Sequence, residues 1–333
     1  MKRLQCPTCA NEVFFDSLNC VRCLTGLAVD LAADREMEMI DVAAATPCTN
    51  RATWGCNWPA ADGDDTQHCA SCVLVDPGQR GADRSMVQFQ SAQRRALYQL
   101  SQLGVPWRSP SSTADATAAD GDALDPARAT TELRFAYRSR NAGDVAIIGH
   151  RGGEITLDLD EADPARREQI RATLGEHYRT PLGHIRHELG HYVWLNHVAT
   201  EAAVLDEFRN MFGDERSDYT SSLEEHYARL DDGSWRDDHV SFYASAHPWE
   251  DFAESWAQLM HVHDVVETGA SWGVVDLPDD PTDARAWLGN SITASVAANE
   301  LARSMGMRDL YPFALSAGVR AKVEFCWRLV HLS

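Results

Sequence analysis

The stretch that most constrains this chain is His187-Glu188-Leu189-Gly190-His191, an H-E-x-x-H pattern. On an α-helix, residues four apart lie one above the other on the same face, so both imidazoles can reach a single metal ion. Glu188, beside the first histidine, can then act on a water bound to that metal. Thr180 is a good N-cap and Pro181 suits the first helical position, so a helix is predicted here. A buried helix that merely carries histidines is the alternative.

Catalytic zinc usually takes three protein ligands and leaves one position for water. Two residues compete for the third place. His197 stands six residues after His191, where the H-E-x-x-H-x-x-G-x-x-H pattern has its third histidine, but Trp194 occupies the glycine position. If the helix continues, His197 points about 120° away from the ligand face. The other candidate is Glu250, which begins Glu250-Asp251-Phe252-Ala253-Glu254, a segment with two carboxylates one helical turn apart.

An H-E-x-x-H helix followed by this acid pair resembles the arrangement of glutamate-type zincins, or gluzincins. It is particularly similar to the catalytic domain of anthrax lethal factor. The resemblance implies that Glu250 binds zinc and that Glu254, behind it, accepts a hydrogen bond from a ligating histidine. It also implies that Tyr243, seven residues before Glu250, supports the oxyanion. An acidic face turned to water, and a buried tyrosine with a satisfied hydroxyl, are the alternatives.

The whole chain also resembles a bacterial family of zinc-binding metallopeptidases with an N-terminal zinc ribbon. The resemblance covers most of the chain and implies the fold and the metal more firmly than the substrate. The segments that carry it are the early cysteines, Gly55-Cys56-Asn57-Trp58, Tyr178-Arg179-Thr180, Gly183-His184-Ile185-Arg186-His187-Glu188, Phe212-Gly213-Asp214-Glu215-Arg216 and His247-Pro248-Trp249-Glu250-Asp251.

Eight of the nine cysteines lie in the first 72 residues. Two C-x-x-C turns can close one tetrahedral zinc site, and a doubled motif without a βαβ context argues against a redox pair. Among the other four clustered cysteines, only the last pair, Cys69 and Cys72, has the C-x-x-C spacing of a zinc knuckle. We predict two structural zinc sites, formed by Cys6, Cys9, Cys20 and Cys23, and by Cys48, Cys56, Cys69 and Cys72. His68 is expected not to ligate, and Cys326 to be a buried core thiol.

The charge balance limits the possible partners. The formal net charge is −20, and residues 1–75 hold five basic against ten acidic side chains. The electrostatic footprint of a DNA or RNA binder is therefore missing, and a zinc ribbon here is expected to be structural or to contact protein. There is no apolar run long enough to span a membrane and no signal-peptide core after Met1, so we expect a cytoplasmic protein without a membrane partner.

These patterns predict an α+β protein with a zinc-ribbon module over residues 1–78. A mostly helical, zincin-like metalloprotease domain with a small β-sheet follows over 79–333. A flexible loop or linker is expected at 109–130, a polar loop at 231–238, a turn at 149–153 and a half-buried strand at 154–159. The other predicted strands are 133–137 and 145–148, and the predicted helices are 83–104, 164–175, 201–212 closed by Gly213, 217–230, 248–263 and two over 284–333. A strand edge beside the active helix could hold an extended peptide, or the hairpin could be purely structural.

The predicted function is that of a zinc metallopeptidase, with one catalytic zinc, a peptide or protein substrate and Glu188 as general base for a zinc-activated water. His184 is interpreted as a proton donor near the substrate or as packing, and His247 as an N-cap or a substrate contact. Two other classes of function remain open. One is a non-catalytic, zinc-stabilised protein-binding scaffold, which would not need Glu188. The other is a zinc amidohydrolase that acts on a non-peptide or modified-peptide amide.

Overall fold

The computed structural model describes residues 1–31, 37–61, 65–78, 84–107, 132–139, 148–174, 178–311 and 314–331. The predicted loop at 109–130 lies outside these residues. The strands are β1 (Leu4–Gln5), β2 (Glu12–Val13), β3 (Leu27–Leu31), β4 (Met37–Asp41), β5 (Arg134–Arg138), β6 (Gly149–Arg151) and β7 (Glu154–Asp158). The α-helices are α1 (Arg51–Trp54), α2 (Arg84–Gln102), α3 (Pro164–Leu174), α4 (Pro181–Val193), α5 (Ala202–Phe212), α6 (Tyr219–Ala228), α7 (Pro248–Ser271), α8 (Ala284–Ser304) and α9 (Ala317–Leu329).

The N-terminal segment is built from two small antiparallel sheets, β1–β2 and β3–β4. Its first two cysteine pairs form equivalent turns. In each turn, the residue after the second cysteine donates its backbone N–H to the carbonyl of the first, from Ala10 to Cys6 and from Leu24 to Cys20, at 2.9 Å in both. Ala10 and Leu24 also share a left-handed conformation, with φ values of 55° and 64°. The local sequence thus folds each pair into the same type of tight turn.

The sheet nearest the predicted active helix has three strands in the order β5–β7–β6. β5 runs parallel to β7, and β6 runs antiparallel to it. The prediction of a half-buried strand is wrong, because β7 is the middle strand and Thr156 and Asp158 are buried as well. The predicted turn at 149–153 is also wrong in part, since Gly149–Arg151 forms β6 and only Gly152 and Gly153 make the turn. Of the predicted strand 145–148, residues 145–147 lie outside the described residues.

The helices surround one long central helix. α7 packs against α4, α8 and α9, and α4 also packs on α2. The predicted end of α7 at residue 263 is wrong by eight residues, because buried side chains such as Val266 continue the apolar face to Ser271. The loop predicted at 231–238 contains a 3-10 turn, Ser234–Asp237. The helices predicted at 83–104, 164–175, 201–212 and 217–230 agree with the structure to within about two residues at each end, and the two predicted over 284–333 are Ala284–Ser304 and Ala317–Leu329. None of the described helices has the length and apolarity needed to cross a membrane.

The cysteine-rich segment and the helical part share a continuous apolar core. Val75 makes a parallel bridge to Phe135 on β5, and the Asp76 N–H donates to the Phe135 carbonyl at 2.8 Å. On α2, the buried Gln93 donates to the Ser71 carbonyl at 2.8 Å, and Tyr137 donates to Gln93 at 2.5 Å. The neighbourhood of the second cysteine group is therefore part of the packing of α2 and β5.

Candidate metal centre

Two crossing helices bring together the three side chains that sequence reasoning assigned to a metal. His187 and His191 come from α4, and Glu250 comes from the first turn of α7. The Oε2 atom of Glu250 lies 3.0 Å from Nε2 of His187 and 3.5 Å from Nε2 of His191. One ligand atom from each of the three residues lies within 4.8 Å of the other two, and all three side chains are buried. Two nitrogens and one carboxylate oxygen therefore face a common point.

Hydrogen bonds behind these atoms fix their orientation. His187 Nδ1 lies 2.7 Å from Oε1 of Glu254, whose other oxygen accepts from the Ser241 hydroxyl at 2.8 Å. This contact places the imidazole proton on Nδ1 and leaves the Nε2 lone pair toward Glu250. The Tyr219 hydroxyl donates to Oε1 of Glu250 at 2.8 Å, so the opposite oxygen, Oε2, is the one that faces the histidines.

A zinc ion fits this donor set. Oε2 of Glu250 is buried, and no hydrogen bond reaches it from the described part of the chain. Buried polar atoms are normally paired, so a carboxylate oxygen turned toward two imidazole nitrogens fits a shared cation. Two histidines and one glutamate are a typical ligand set of catalytic zinc.

The local sequence explains how the two helices present these groups. Thr180 caps α4 by accepting the Gly183 N–H at 3.0 Å, with Pro181 in the first turn, as predicted. His247 caps α7 by accepting the Trp249 N–H on Nδ1 at 3.1 Å, and its Nε2 lies 3.2 Å from the Ser217 carbonyl oxygen. Both ring nitrogens of His247 are therefore engaged within the protein.

The competing third ligand does not join the site. The helix continues through Trp194 as a π-helical turn, Trp194–Val198, instead of reversing. His197 therefore does not belong to the described group that could hold a metal ion. Together with Val193 and Leu329, it lines a separate cavity of about 310 Å³.

His184 contacts one carboxylate oxygen of Glu188, the predicted general base. Nε2 of His184, one turn earlier on α4, lies 3.3 Å from Oε1 of Glu188, while Oε2 of Glu188 is buried and has no hydrogen-bond partner among the described residues. Nδ1 of His184 lies 3.5 Å from Oε2 of Glu161. Burial opposes protonation of His184, but the two carboxylates outweigh it and raise the pKa of His184 to about 9.

Two tyrosines border the site. The Tyr243 ring lies 5.9 Å from the His187 ring, centroid to centroid, and Tyr219 binds Glu250 as described above. Burial and the negative charge of Glu250 raise the pKa of both phenols. Both hydroxyls therefore keep their protons at neutral pH and can act as hydrogen-bond donors.

Sequence reasoning missed several residues of this site. Tyr219, Ser241 and Glu161 carry no motif signal, because each lies on a different element and only the fold brings them together. The sequence predicts His150 within a turn, yet it lies on β6 with its ring 6.2 Å from that of His191. Burial lowers the pKa of His150 to about 3, so it is neutral. Arg179 belongs to Tyr178-Arg179-Thr180, one of the segments that carry the family resemblance, but the sequence assigns it no role.

The two cysteine groups also gather as predicted. Each contributes four sulfur atoms that lie within 4.8 Å of one another, and all nine cysteines are free. In the first group, Cys6 lies 3.6 Å from Cys23 and Cys9 lies 3.7 Å from Cys20. His68 is not in the second group; its ring contacts the Thr66 hydroxyl at 2.7 Å. Four clustered thiols without disulfides are suited to bind zinc.

The His-His-Glu group on the helix pair is a candidate metal site built on an H-E-x-x-H segment. The chain belongs to the family described as "putative zinc-binding metallo-peptidase", whose sequence model matches residues 83–329. It is similar to uncharacterized proteins of Mycobacterium tuberculosis and Mycobacterium bovis, at 33% identity over 345 residues that cover 99% of this chain and 95% of each relative. No solved structure matches the chain significantly.

Proposed function

We propose that the protein is a zinc-dependent metallopeptidase that hydrolyses peptide bonds. The observation that carries the proposal is the coincidence of two features where α4 and α7 cross. The His187, His191 and Glu250 atoms face a common point, and the adjacent Glu188 keeps one carboxylate oxygen free of any described hydrogen bond. A metal site with only a structural role has no need of such a carboxylate.

A zinc ion held by His187, His191 and Glu250 supplies Lewis acidity, which lowers the pKa of a water molecule toward about 7 and polarises a carbonyl group. Glu188 takes the proton of the attacking water and later delivers it to the leaving amine. The protonated phenol of Tyr243 donates a hydrogen bond to the oxyanion that develops on the substrate carbonyl. Glu254 and Tyr219 hold His187 and Glu250 in place while charge shifts at the site.

The position of β6 supports a peptide substrate. Among the described strands, β6 lies at one edge of its sheet, and His150 at its centre lies beside His191. An extended peptide backbone that pairs with this edge would run past the metal-binding histidines. We propose that this edge, rather than a side-chain pocket, aligns the scissile bond.

We further propose that residues 1–78 form a zinc-stapled module with two structural zinc ions, so that one chain binds three. Burial of the second group against α2 supports a structural role for its metal. The acidic balance of this segment favours a protein partner over nucleic acid, and the expected compartment is the cytoplasm.

The test combines metal analysis with a Glu188→Gln variant. Purified protein is incubated with a proteome-derived peptide mixture, and new peptide termini are identified by mass spectrometry. We expect three zinc ions per chain in both proteins, and cleavage that falls by a factor of about 10²–10⁴ in Glu188→Gln. Two zinc ions per chain, or cleavage that does not depend on Glu188, would refute the proposal. A non-catalytic scaffold would retain three zinc ions without cleavage. An amidohydrolase would leave ordinary peptides intact but cleave acylated or modified peptides in a Glu188-dependent way.

A further inference from the structure

A row of alternating charges runs from the end of the sheet to Glu188. Arg179, just before α4, makes two hydrogen bonds to Glu161, from Nη2 to Oε1 at 2.6 Å and from Nε to Oε2 at 3.2 Å. Glu161 lies in the 3-10 turn that follows β7, and its Oε2 also faces Nδ1 of His184 at 3.5 Å. His184 in turn faces Glu188 at 3.3 Å. The order is cation, anion, cation, anion.

The burial of Glu161 favours this arrangement of charges. Glu161 is 3% exposed, and a buried carboxylate is costly unless charged or donating groups surround it. Burial would raise the pKa of Glu161, but His184 and Arg179 reverse this and lower it to about 2. The backbone of the turn is fixed as well, because Arg167 donates to the carbonyls of Glu161 and Ala162 at 2.7 and 2.8 Å.

His184 is therefore turned inward. Its side chain is 15% exposed, and each of its ring nitrogens faces a carboxylate. Both ring nitrogens are therefore turned toward carboxylates; Nδ1 faces Glu161 at ion-pair distance and has no hydrogen-bond partner among the described residues. This arrangement argues against His184 as a substrate contact.

We propose that His184 is a positioning residue that holds one carboxylate oxygen of Glu188 and so directs the other toward the reacting water, and that Glu161 and Arg179 act only through His184. This inference rests on the proposed peptidase function. Because none of the three touches substrate or metal, their loss is expected to lower kcat while KM and zinc affinity stay unchanged.

The test uses His184→Leu, His184→Gln and Glu161→Gln in the full chain, assayed on a peptide found in the proteome digest. We expect kcat to fall about 10–100-fold in His184→Leu, with a smaller loss in His184→Gln, because glutamine retains one donor for Glu188. KM is expected to stay within about twofold. Glu161→Gln alone should lower kcat, but it should add nothing in the His184→Leu background, because it acts through that imidazole.

A second readout does not depend on activity. Competition with a chelator should give the same zinc affinity for His184→Leu and wild type, whereas Glu254→Ala, which removes the acceptor of His187, should bind zinc about 10–100-fold more weakly. His197→Leu is the matched control, since it changes a half-buried histidine near the same helix but outside the site, and its activity should not change. The thermal midpoint of each variant shows whether it is folded.

The outcomes separate the two proposals. Additive losses in the double variant, a raised KM as the main effect, or weaker zinc binding in His184→Leu would overturn the positioning role. Glu188-dependent cleavage that is indifferent to His184 would overturn the inference and leave the peptidase proposal standing. If no Glu188-dependent cleavage of peptides exists, both proposals fall together.

Discussion

At Gly190, α4 lies close against the backbone of α7, and Gly190→Ala perturbs that contact directly. A Cβ atom at Gly190 would lie 2.7 Å from Cα and 3.0 Å from the carbonyl oxygen of Ala253. These are backbone atoms in the second turn of α7, so no side-chain rotation can relieve the clash. The two helices must separate until the closest contact reaches the ordinary value of about 3.4 Å.

The expected cost combines two opposing terms. Overpacking a well-packed contact costs about 1–3 kcal/mol, and the higher helix propensity of alanine returns about 1 kcal/mol. The free energy of unfolding should therefore fall by up to about 2 kcal/mol. The metal site should be disturbed more strongly than the overall stability, because His187 and Glu250 each lie three residues before the contact. A separation of roughly 0.7 Å exceeds the tolerance of about 0.2 Å for metal–ligand distances, so zinc affinity should fall.

Urea unfolding measures the first effect, and chelator competition measures the second. Gly289→Ala is the matched control, since Gly289 lies within α8 and an added Cβ would meet nothing within 4 Å. That variant should be more stable by up to about 1 kcal/mol and should bind zinc normally. A Gly190→Ala protein that matches the wild type in both measurements would contradict this account of the helix crossing.

Three further perturbations test other parts of the structure. Tyr219→Phe removes the hydroxyl that holds Oε1 of Glu250, so the zinc dissociation constant should rise about tenfold or more in chelator competition; an unchanged constant would count against this role. Cys56→Ser should remove one zinc ion per chain and lower the thermal midpoint, whereas retention of three ions by elemental analysis would disprove the second site. Lys322→Met leaves Asp251 buried without its partner at 2.5 Å and should cost about 3–5 kcal/mol in urea unfolding, which Asp251→Asn in the same chain should partly restore.

The metal-facing residues were predictable because they repeat along single helices. His187 and His191 are four residues apart, and Glu250 and Glu254 are as well, so local spacing alone places each pair on one helical face. The start of α7 was also predictable from the local sequence, because Pro248 fits the first turn of a helix. The meeting of the two helices was inferred by resemblance rather than by spacing, and Gly190 against Ala253 gives its physical reason.

The errors arose where tertiary context decides. β7 alternates apolar and polar residues, which predicts one buried face, but a middle strand covered on both sides buries Thr156 and Asp158 too. The same holds for Glu161, whose chemistry depends on Arg179 and His184 from beyond α3. Contacts between residues far apart in sequence leave no periodic signal, so the support behind Glu188 could not be predicted from sequence alone.

The shared core of the cysteine-rich segment and α2 has a consequence for the order in which the sites form during synthesis. All eight clustered cysteines lie within the first 72 residues, so both groups leave the ribosome before α4 and α7 exist. Metal bound at these proposed sites can organise Ser71 and Val75 in advance, and α2 and β5 can then fold against a surface already in place. The His-His-Glu site needs Glu250 and is therefore completed after both cysteine groups. Under the proposed function, a nascent chain would thus form its metal-bound support before its proposed catalytic site.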